Sequence, residues 1–333
     1  GGGGTIGAEL CRRIAECKPR TLLILDRSES DLYEICFELG NLNPGLIIRQ
    51  CLVDITDKGE LRKVMAENRP DLIFHAAAHK HVPMMETHVR QAIENNIAGT
   101  LELAELALEY GTEKFIFVST DKAVNASSIM GMTKRVSELL LGSWNGKGQT
   151  RFIIVRFGNV LGSRGSFVPI LLRQIELGGP VTITDSRMER YFMGLTESVM
   201  LVLQAAVLGQ GGEIFVLEMG RPVKILDLAH LLIRYVGFSP EEIEIRYIGP
   251  RPGERLKESL LAEGETRVPT VHEKIWLVHP QPFNAQMFER KIQELMKFDT
   301  RASEEELKAK LQDLVTPSSA PSTSGPSKKS QSR

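Results

Sequence analysis

The stretch GGGGTIGAELCRRIAECKPRTLLILD, residues 1–26, decides the fold, because a glycine-rich turn, a helical pattern and an apolar run follow one another in it. Gly1, Gly4 and Gly7 stand three residues apart, directly before apolar residues at helical spacing. Small residues in such a turn let the backbone approach a pyrophosphate, whose charge the N-terminus of the helix stabilises. The glycines alone are a weak signal, because a flexible linker has the same composition.

Asp26 strengthens this interpretation, because it ends the next apolar run, roughly 20 residues after the turn. An aspartate there accepts hydrogen bonds from the adenosine ribose and repels a 2′-phosphate, so NAD is favoured over NADP. Arg27, the next residue, softens that preference. The alternative is that Asp26 caps a helix that starts near Ser28. Asp54, after a second apolar run, is a candidate for contact with the adenine amino group.

Apolar runs alternate with amphipathic stretches through the first half of the chain. They occupy residues 21–26, 46–52, 71–77, 114–120 and 151–157. This alternation predicts an α/β fold, with a Rossmann-type doubly wound parallel sheet and a smaller mixed C-terminal substrate lobe. The strand that should precede the glycine turn is missing from the sequence, so the first sheet strand is expected to be absent.

Three segments are expected along the chain. An NAD-binding Rossmann domain covers residues 1–160. A substrate-binding lobe with C-terminal helices covers residues 161–315, where turn signals become frequent, and some of this segment is expected to return to the main domain. Residues 316–333 have almost no apolar side chain and are expected to form a disordered tail.

Composition limits the classes of function. The 333 residues are 42% apolar and 25% charged, which is ordinary for a globular enzyme. With 41 basic and 42 acidic side chains, no overall field attracts nucleic acid or an anionic membrane. No run reaches the roughly 18 to 20 apolar residues of a membrane helix. We therefore expect a cytoplasmic protein without nucleic-acid partners and without direct membrane contact through this chain.

The stretch HAAAHKHVPMMETH, residues 75–88, contains four histidines but not the spacing of a metal site, so no metal is predicted. Ala76, Ala77 and Ala78 are small residues at a strand end that a cofactor can approach. Lys80 follows them and can reach cofactor or substrate oxygens. A solvated loop lysine is the alternative for Lys80.

The stretch KFIFVSTDK, residues 114–122, places a hydroxyl, a carboxylate and an amine directly after a buried apolar run. Open parallel sheets bind their ligands beyond the carboxyl ends of strands. Thr120, Asp121 and Lys122 are therefore the first catalytic candidates.

Met130 and Lys134 stand four residues apart in a helical pattern that a serine can cap, so they share one helix face. Lys134 is expected to point toward the same cleft as the preceding candidates. Met130 stands where a tyrosine-dependent dehydrogenase has its proton carrier, and a thioether cannot carry a proton. The proton transfers must then fall to other side chains, with Thr120 and Asp121 the nearest.

An ordered series of motifs resembles the extended short-chain dehydrogenase/reductases, and within them the nucleotide-sugar 4,6-dehydratases of the CapD-like polysaccharide biosynthesis proteins. The motifs run from Gly1 to about Leu260 and are GxxGxxG, HAAAHKHVPMMETH, NNIAGT, STDKAV, MGMTKR, RFGNVLGSRGS, RYFM, GGEIFVLEMG and RPGE. The most similar subgroup has methionine in place of the superfamily tyrosine, as at Met130. Full-length relatives of that subgroup usually carry membrane helices and another domain upstream.

The resemblance implies a UDP-N-acetylglucosamine 4,6-dehydratase that keeps its NAD bound. Hydride passes from sugar C4 to NAD, water is lost across C5 and C6, and the hydride returns to C6. Lys122 would remove the C5 proton, which the C4 ketone acidifies. Asp121 would accept the C4 hydroxyl proton, directly or through Thr120, and donate it to the departing C6 hydroxyl. Lys134 would hold the nicotinamide ribose.

The same resemblance implies two further sets of contacts, which overlap at Lys80. The cofactor-binding set is Gly1, Gly4, Thr5, Ile6, Gly7, Asp26, Arg27, Asp54, Ile55, Ala76, Ala77, Ala78, Lys80, Asn95 and Lys134. The substrate-binding set is Lys80, Asn159, Arg164, Arg190, Arg251 and Glu254. Arg190 and Arg251 are expected to bind the diphosphate, because a guanidinium matches two oxygens at once, and Glu254 the uridine ribose.

Two other functions stay open at this point. A nucleotide-sugar epimerase would return the hydride to C4, although the retained Asp121 and Lys122 and the absent tyrosine argue against it. A non-catalytic NAD-binding protein would tolerate Met130. A homo-oligomer is expected in each case, because relatives assemble.

Overall fold

A computed structural model describes residues 1–297 and 301–315 of the chain. Its strands are β1 (Thr21–Asp26), β2 (Ile47–Leu52), β3 (Leu72–His75), β4 (Lys114–Val118), β5 (Arg151–Arg156), β6 (Asn159–Val160), β7 (Val181–Ile183), β8 (Glu189–Arg190), β9 (Phe192–Met193), β10 (Ile214–Leu217), β11 (Val223–Lys224), β12 (Ile245–Tyr247), β13 (Thr266–Pro269) and β14 (Ile275–His279). Its helices are α1 (Thr5–Glu16), α2 (Glu29–Leu42), α3 (Lys58–Asn68), α4 (Val82–Met85), α5 (Val89–Ala92), α6 (Gly99–Glu109), α7 (Ile129–Trp144), α8 (Phe167–Glu176), α9 (Leu195–Leu208), α10 (Ile225–Val236), α11 (Ala285–Met296) and α12 (Glu304–Val315).

Two shorter elements join these helices and strands. A π-helical segment, Ile93–Ala98, connects α5 to α6, and a 3₁₀ turn, Asp121–Ala123, precedes α7. None of the helices in the described ranges is both long enough and apolar enough to cross a membrane. Residues 316–333, for which disorder is predicted, lie outside the described residues.

Six strands form the main sheet, in the order β13-β14-β10-β5-β4-β3. The strands β3, β4, β5 and β10 are parallel to one another, whereas β14 and β13 are antiparallel additions at one edge. Parallel neighbours need crossover connections, and these usually place helices on both faces of a sheet. The predicted α/β fold with a parallel-dominated sheet is confirmed, and strands from both halves of the chain build it.

The two faces of β4 are buried by different helices. Ile116 and Val118 belong to one core cluster with residues of α9. Phe115 and Phe117 belong to another cluster with residues of α3 and α6. Because both faces are covered, consecutive positions of β4 and β5 are apolar, and polar residues follow only where the strands reach their carboxyl ends.

The strands β1 and β2 form a separate parallel pair. In the described part of the chain no hydrogen-bonded strand connects this pair to β3. The nitrogen atoms of Gly1 and Gly2 both donate to the carbonyl oxygen of Leu25, at 2.8 and 2.9 Å. Gly1 also lies against the backbone of Ala77. The first two residues therefore occupy the space between the carboxyl ends of β1 and β3.

The second half of the chain builds a smaller core beside the carboxyl edge of the main sheet. Here β7 pairs with β12, β8 with β11, and β6 with β9. The helices α8 and α10 pack against β7 through a cluster that includes Leu171, Ile175, Ile183 and Ile233. Loops of this smaller core face the ends of β3, β4 and β5, so a cleft lies between the two parts.

The helix α12 packs against α7 and supports its first turn. Buried leucines of α12 share a core cluster with residues of α7 and α11. Lys308 of α12 pairs with Glu86 at 3.2 Å, and the same carboxylate accepts a hydrogen bond from the amide of Ile129 at 2.7 Å. Ile129 is the first residue of α7, the helix that carries Met130 and Lys134.

An ion network centred on Arg156 is buried inside this framework. Arg156, at the end of β5, is 1% exposed and donates two hydrogen bonds to Glu138 of α7, at 2.7 and 2.8 Å. Its guanidinium also donates to Glu265, at 2.8 and 3.0 Å. Burial opposes the ionisation of Glu138, but the charge and hydrogen bonds of Arg156 outweigh it and lower the pKa of Glu138. Ser119 donates to Glu138 at 2.6 Å, so the network reaches the end of β4.

The substitution Arg156→Leu should lower the free energy of unfolding by about 3 to 5 kcal/mol, because Glu138 and Glu265 would stay buried without their main cation. Arg151→Leu is the matched control on the same strand. Arg151 is 43% exposed and 3.9 Å from Glu113, so its loss should change the free energy by less than about 1 kcal/mol. Urea unfolding of both variants measures the difference, and equal losses would contradict the buried network.

Candidate active site

A cleft of about 580 Å³ opens at the carboxyl ends of β3, β4 and β5. This edge is where open parallel sheets bind their ligands. The volume lies within the usual range for small-molecule sites, about 300 to 1,000 Å³. The walls come from the glycine turn, the loop after β3, the start of α7 and two loops of the smaller core.

Most of the residues that the sequence singles out line this cleft. They are Gly1, Gly4, Thr5, Ile6, Gly7, Ala76, Ala78, Lys80, Thr120, Lys122, Met130, Lys134, Asn159, Arg164, Arg190, Arg251 and Glu254. The other predicted residues do not contribute to the lining; they are Asp26, Arg27, Asp54, Ile55, Ala77, Asn95 and Asp121. Side chains from distant parts of the chain thus surround one space.

The glycine turn is packed too closely for a side chain at four of its positions, and at Gly1 and Gly7 the nearest atom belongs to the backbone. A Cβ atom on Gly7 would lie 1.9 Å from the carbonyl oxygen of Gly1, and one on Gly1 would lie 2.6 Å from the nitrogen of Ala77. The helix α1 begins after Gly4 without a side-chain cap, so the amides of its first turn remain available to an anion. This arrangement fits the pyrophosphate of a dinucleotide.

Asp26 supports the glycine turn from the end of β1. Its carboxylate accepts hydrogen bonds from the amides of Gly3 and Ser28, both at 2.9 Å. The N-cap of α2 is Ser28, whose hydroxyl accepts from the amide of Asp31 at 3.4 Å. The capping role that was the alternative for Asp26 therefore belongs to Ser28, and the ribose contact of Asp26 stays a prediction.

Arg27 and Asp54 lie side by side at the ends of β1 and β2. The guanidinium of Arg27 is 3.5 Å from Oδ2 of Asp54 and 3.5 Å from Nδ1 of His79. Ile55 and Asn95 are buried, so they support the neighbouring wall instead of lining the cleft. The predicted contacts of these residues with the cofactor stay predictions.

Thr120, Asp121 and Lys122 are joined by hydrogen bonds where β4 ends. The Thr120 hydroxyl and the Lys122 amine both donate to Oδ1 of Asp121, each at 2.9 Å. The Lys122 amine is also 3.5 Å from Oδ1 of Asn159. The amide of Asp121 donates to the carbonyl of Phe157 at 3.0 Å, which fixes the turn to the end of β5. Thr120 and Lys122 face the cleft, and Asp121 lies behind them.

Met130 and Lys134 line the same cleft from α7. The Lys134 amine donates to the carbonyl of Val118 at 2.8 Å and lies 4.3 Å from the ring centre of Phe117. Burial lowers the pKa of Lys134 to about 7, although the charge of Glu138 opposes the shift. Burial thus brings the pKa of Lys134 close to neutral pH.

The two arginines predicted to bind diphosphate differ in exposure and in the number of protein partners. Arg251 is 45% exposed and pairs with Glu254 at 2.6 Å. Arg190 is 3% exposed, and its terminal nitrogens donate to three backbone carbonyls, two of them in the loop at residues 255–256. Arg190 is predicted to bind diphosphate, but its terminal nitrogens already have partners within the protein. In this structure Arg190 holds the loop.

Arg164 and Lys80 lie toward the glycine turn. Arg164 pairs with Asp31 of α2 at 2.5 Å, and its amide is 3.3 Å from the hydroxyl of Thr5. Burial and the charge of Arg164 lower the pKa of Lys80. Arg164 thus lies beside the glycine turn, where a dinucleotide is expected, although the sequence predicts a substrate contact for it.

Asn96 and Glu258 are among the residues at the site that were not predicted from the sequence. The Asn96 side chain accepts from the amide of His79 at 2.8 Å and donates to its carbonyl at 3.0 Å, which holds the loop after β3. Glu258 lines the cleft and its Oε1 is 3.7 Å from the Lys122 amine. Asn96 was within reach, because it stands in the quoted NNIAGT motif. Glu258 follows the RPGE motif in a loop without periodicity, and nothing local marks it.

Comparison with known proteins relates the chain to polysaccharide biosynthesis. The family described as polysaccharide biosynthesis protein matches residues 1–280. The capsular polysaccharide biosynthesis protein CapD of Staphylococcus aureus is 49% identical over 278 residues, which are 83% of this chain and 46% of CapD. The chain thus spans about half the length of that relative.

Two further proteins act on nucleotide sugars. The inverting UDP-N-acetylglucosamine 4,6-dehydratase of Campylobacter jejuni is 34% identical over 285 residues, which are 84% of this chain and 81% of that enzyme. DesIV, a dTDP-glucose 4,6-dehydratase from Streptomyces venezuelae solved with NAD and TYD bound, has a TM-score of 0.67 at 22% identity. That match covers 78% of this chain and 86% of DesIV, and it shows a shared fold.

The buried amine of Lys134 should make stability depend on pH. Its pKa of about 7 in the folded chain lies below the ordinary lysine value of 10.5, so between these values the unfolded chain binds more protons. Stability should therefore rise with pH above about 7, by at most about 1.4 kcal/mol per pH unit. Lys134→Met removes this contribution, so the stability of the wild type relative to the variant should rise between about pH 7 and about pH 9.

Urea unfolding at several pH values measures this difference. Lys63→Met is the control, because Lys63 is 66% exposed and paired with Glu60, so its pKa is raised and it does not titrate in this window. A wild-type advantage over Lys134→Met that stays constant across the window would contradict the lowered pKa of Lys134.

Proposed function

This chain belongs to the polysaccharide biosynthesis protein family, and from that membership we propose that it is an NAD-dependent nucleotide-sugar 4,6-dehydratase. Its proposed substrate is UDP-N-acetylglucosamine, which it converts to a UDP-4-keto-6-deoxy sugar. The observation that carries the proposal is the hydrogen-bonded group of Thr120, Asp121 and Lys122, beside a cleft that the glycine turn also lines. Similarity to the Campylobacter jejuni enzyme supports the substrate.

The proposed cofactor site lies at the glycine turn and α7. When bound, NAD supplies the acceptor for the C4 hydride and the donor for C6. The close packing at Gly7, the uncapped start of α1 and the bracing by Asp26 suit the dinucleotide, and Lys134 would bind the nicotinamide ribose. A 4,6-dehydration begins with oxidation at C4, so the reaction needs a hydride acceptor in the same cleft.

The first proton transfer is proposed to use Thr120 and Asp121. Thr120 lines the cleft and donates to Asp121, so a proton leaving the C4 hydroxyl can pass through the Thr120 hydroxyl to the carboxylate. Such a transfer is typically worth about 10² to 10⁴ in rate. Met130 occupies the cleft wall without any proton to exchange. This pair can therefore replace the missing phenol.

The second proton transfer is proposed to use Lys122. After oxidation, the C4 ketone acidifies the C5 hydrogen, and an amine that borders the cleft can remove it. Asp121 holds this amine at 2.9 Å from the turn after β4. Base and carboxylate on one rigid turn suit an elimination, because both act at neighbouring carbons of one substrate.

Incubation with UDP-N-acetylglucosamine and NAD tests the proposal by mass spectrometry. A dehydratase yields a product lighter by one water, whereas an epimerase product keeps the substrate mass. A product of unchanged mass, or no product, would reject the dehydratase assignment for this chain.

The substitution Asp121→Asn should lower kcat by about 10² to 10⁴, because an amide cannot accept the C4 proton. KM should change little, since Asp121 does not line the cleft. Asp227→Asn is the control, because Asp227 is exposed in the first turn of α10. Turnover of Asp121→Asn within a few-fold of the wild type would show that the assignment to Asp121 is wrong.

A further inference from the structure

Lys122 lies between two carboxylates whose surroundings differ. Its amine is 2.9 Å from Oδ1 of Asp121 and 3.7 Å from Oε1 of Glu258. The Asp121 side chain is 0% exposed, does not line the cleft and accepts a second hydrogen bond from Thr120. Glu258 lines the cleft directly. Carboxyl groups in such different environments are suited to opposite roles in proton transfer.

Glu258 has a carboxyl oxygen without a hydrogen-bond partner. Its side chain is 4% exposed, and Oε2 has no partner within the described residues. Buried side-chain oxygens almost always have one. An oxygen without a partner beside a cleft therefore indicates room for a ligand atom, and it favours the neutral carboxyl, which costs less to bury unpaired than the carboxylate. Oδ2 of Asp121 also lacks a partner, but that carboxylate lies behind the lining.

The loop that carries Glu258 is fixed from both sides of the cleft. Arg190 of the smaller core donates to the carbonyls of Arg255 and Leu256, at 2.7 and 3.1 Å. The Arg255 side chain donates to Ser127 at 2.8 Å and to the carbonyl of Val124 at 3.0 Å, next to the start of α7. These contacts keep Glu258 at a defined place opposite Asp121.

Four charged groups face Glu258, and they are Asp121, Lys122, Arg190 and Arg255. Burial is the largest influence and raises the pKa of Glu258. The charge of Lys122 opposes this shift, as do those of the two arginines, and the charge of Asp121 adds to it. A carboxyl that keeps its proton in a closed site is a suitable general acid.

We propose that Glu258 is a further catalytic residue, the group that donates a proton to the C6 hydroxyl as it departs. This inference rests on the proposed dehydratase function. It replaces Asp121 at the C6 step and leaves Asp121 with the C4 step.

The proposed elimination conserves atoms and charge. Lys122 passes its ammonium proton to Glu258 and, as a neutral amine, takes the C5 proton. The electron pair of the C5–H bond forms the C5–C6 double bond. The C6–O bond breaks, the departing oxygen takes the proton of Glu258, and water leaves. Lys122 returns its proton to C5 when the hydride arrives at C6. The proton that Asp121 received at C4 then passes to the Lys122 amine, which lies between the two carboxylates, and restores the ammonium group.

The variant Glu258→Gln tests this role, with UDP-N-acetylglucosamine and NAD in deuterated water. Water loss should fall by about 10² to 10⁴, because an amide donates no acidic proton. Oxidation at C4 and exchange at C5 precede the step that needs Glu258. The variant should therefore still show the absorbance of reduced nicotinamide and should still incorporate deuterium at C5 of the recovered substrate. Asp121→Asn should show neither signal.

Two further variants complete the test. Glu258→Asp keeps a carboxyl at a shorter reach, so its water loss should lie between those of the wild type and Glu258→Gln. Glu263→Gln is the matched control in the same segment, because Glu263 is exposed, and it should stay within two-fold of the wild type. Thermal unfolding confirms that each variant is folded.

The outcomes separate this inference from the function on which it rests. A wild type without dehydrated product contradicts both. A dehydrating wild type contradicts the role of Glu258 alone if Glu258→Gln loses water equally fast. Loss of the nicotinamide signal in a folded Glu258→Gln variant would likewise overturn it, because Glu258 would then act before the C6 step.

Discussion

The buried contact between Arg156 and the carboxylates of Glu138 and Glu265 is the interaction on which the site depends. It joins the end of β5, the middle of α7 and the segment that leads into β13. Through Ser119 it also reaches the residue directly before Thr120. Ions that are buried together must remain paired, because an isolated charge in that interior is strongly destabilising. The turn at residues 120–122, the helix with Met130 and the wall near Glu258 are therefore supported by the same buried network.

The parts that could be predicted from the sequence are those that local patterns encode. Because both faces of the sheet are buried, β4 and β5 are apolar at consecutive positions. The central sheet and the polar residues at its carboxyl edge could therefore be predicted from the sequence. The position of Glu258 could not be predicted, because it depends on the contact of Arg190 with Arg255, which lies 65 positions away in sequence. The contacts of Arg190 with the loop at residues 255–256 were not predictable for the same reason, and its contact with the substrate stays a prediction. A guanidinium has no local sign of whether it binds a ligand or a backbone carbonyl.

The positions of the proposed proton-transfer groups explain how a methionine can stand at position 130. A phenol on α7 would act from the helix wall, whereas the groups that we propose for the proton transfers stand on the turn after β4 and on the loop after Glu254. Lys122 lies between them and is the only amine that contacts both Asp121 and Glu258 among the described residues. The proton path proposed for this chain thus runs across the cleft from one lobe to the other, and α7 contributes shape and the Lys134 amine.

The ion pair between Lys308 and Glu86 has a consequence for how the protein matures. Glu86 holds the first amide of α7, and Lys308 holds Glu86 from a helix more than 200 positions later. During synthesis the first turn of α7, which carries Met130, lacks the support of Lys308 until residues beyond 308 have left the ribosome. Contacts of such long range form slowly and leave apolar surface uncovered in the meantime. The first turn of α7 would therefore gain the support of Glu86 and Lys308 only after α12 docks.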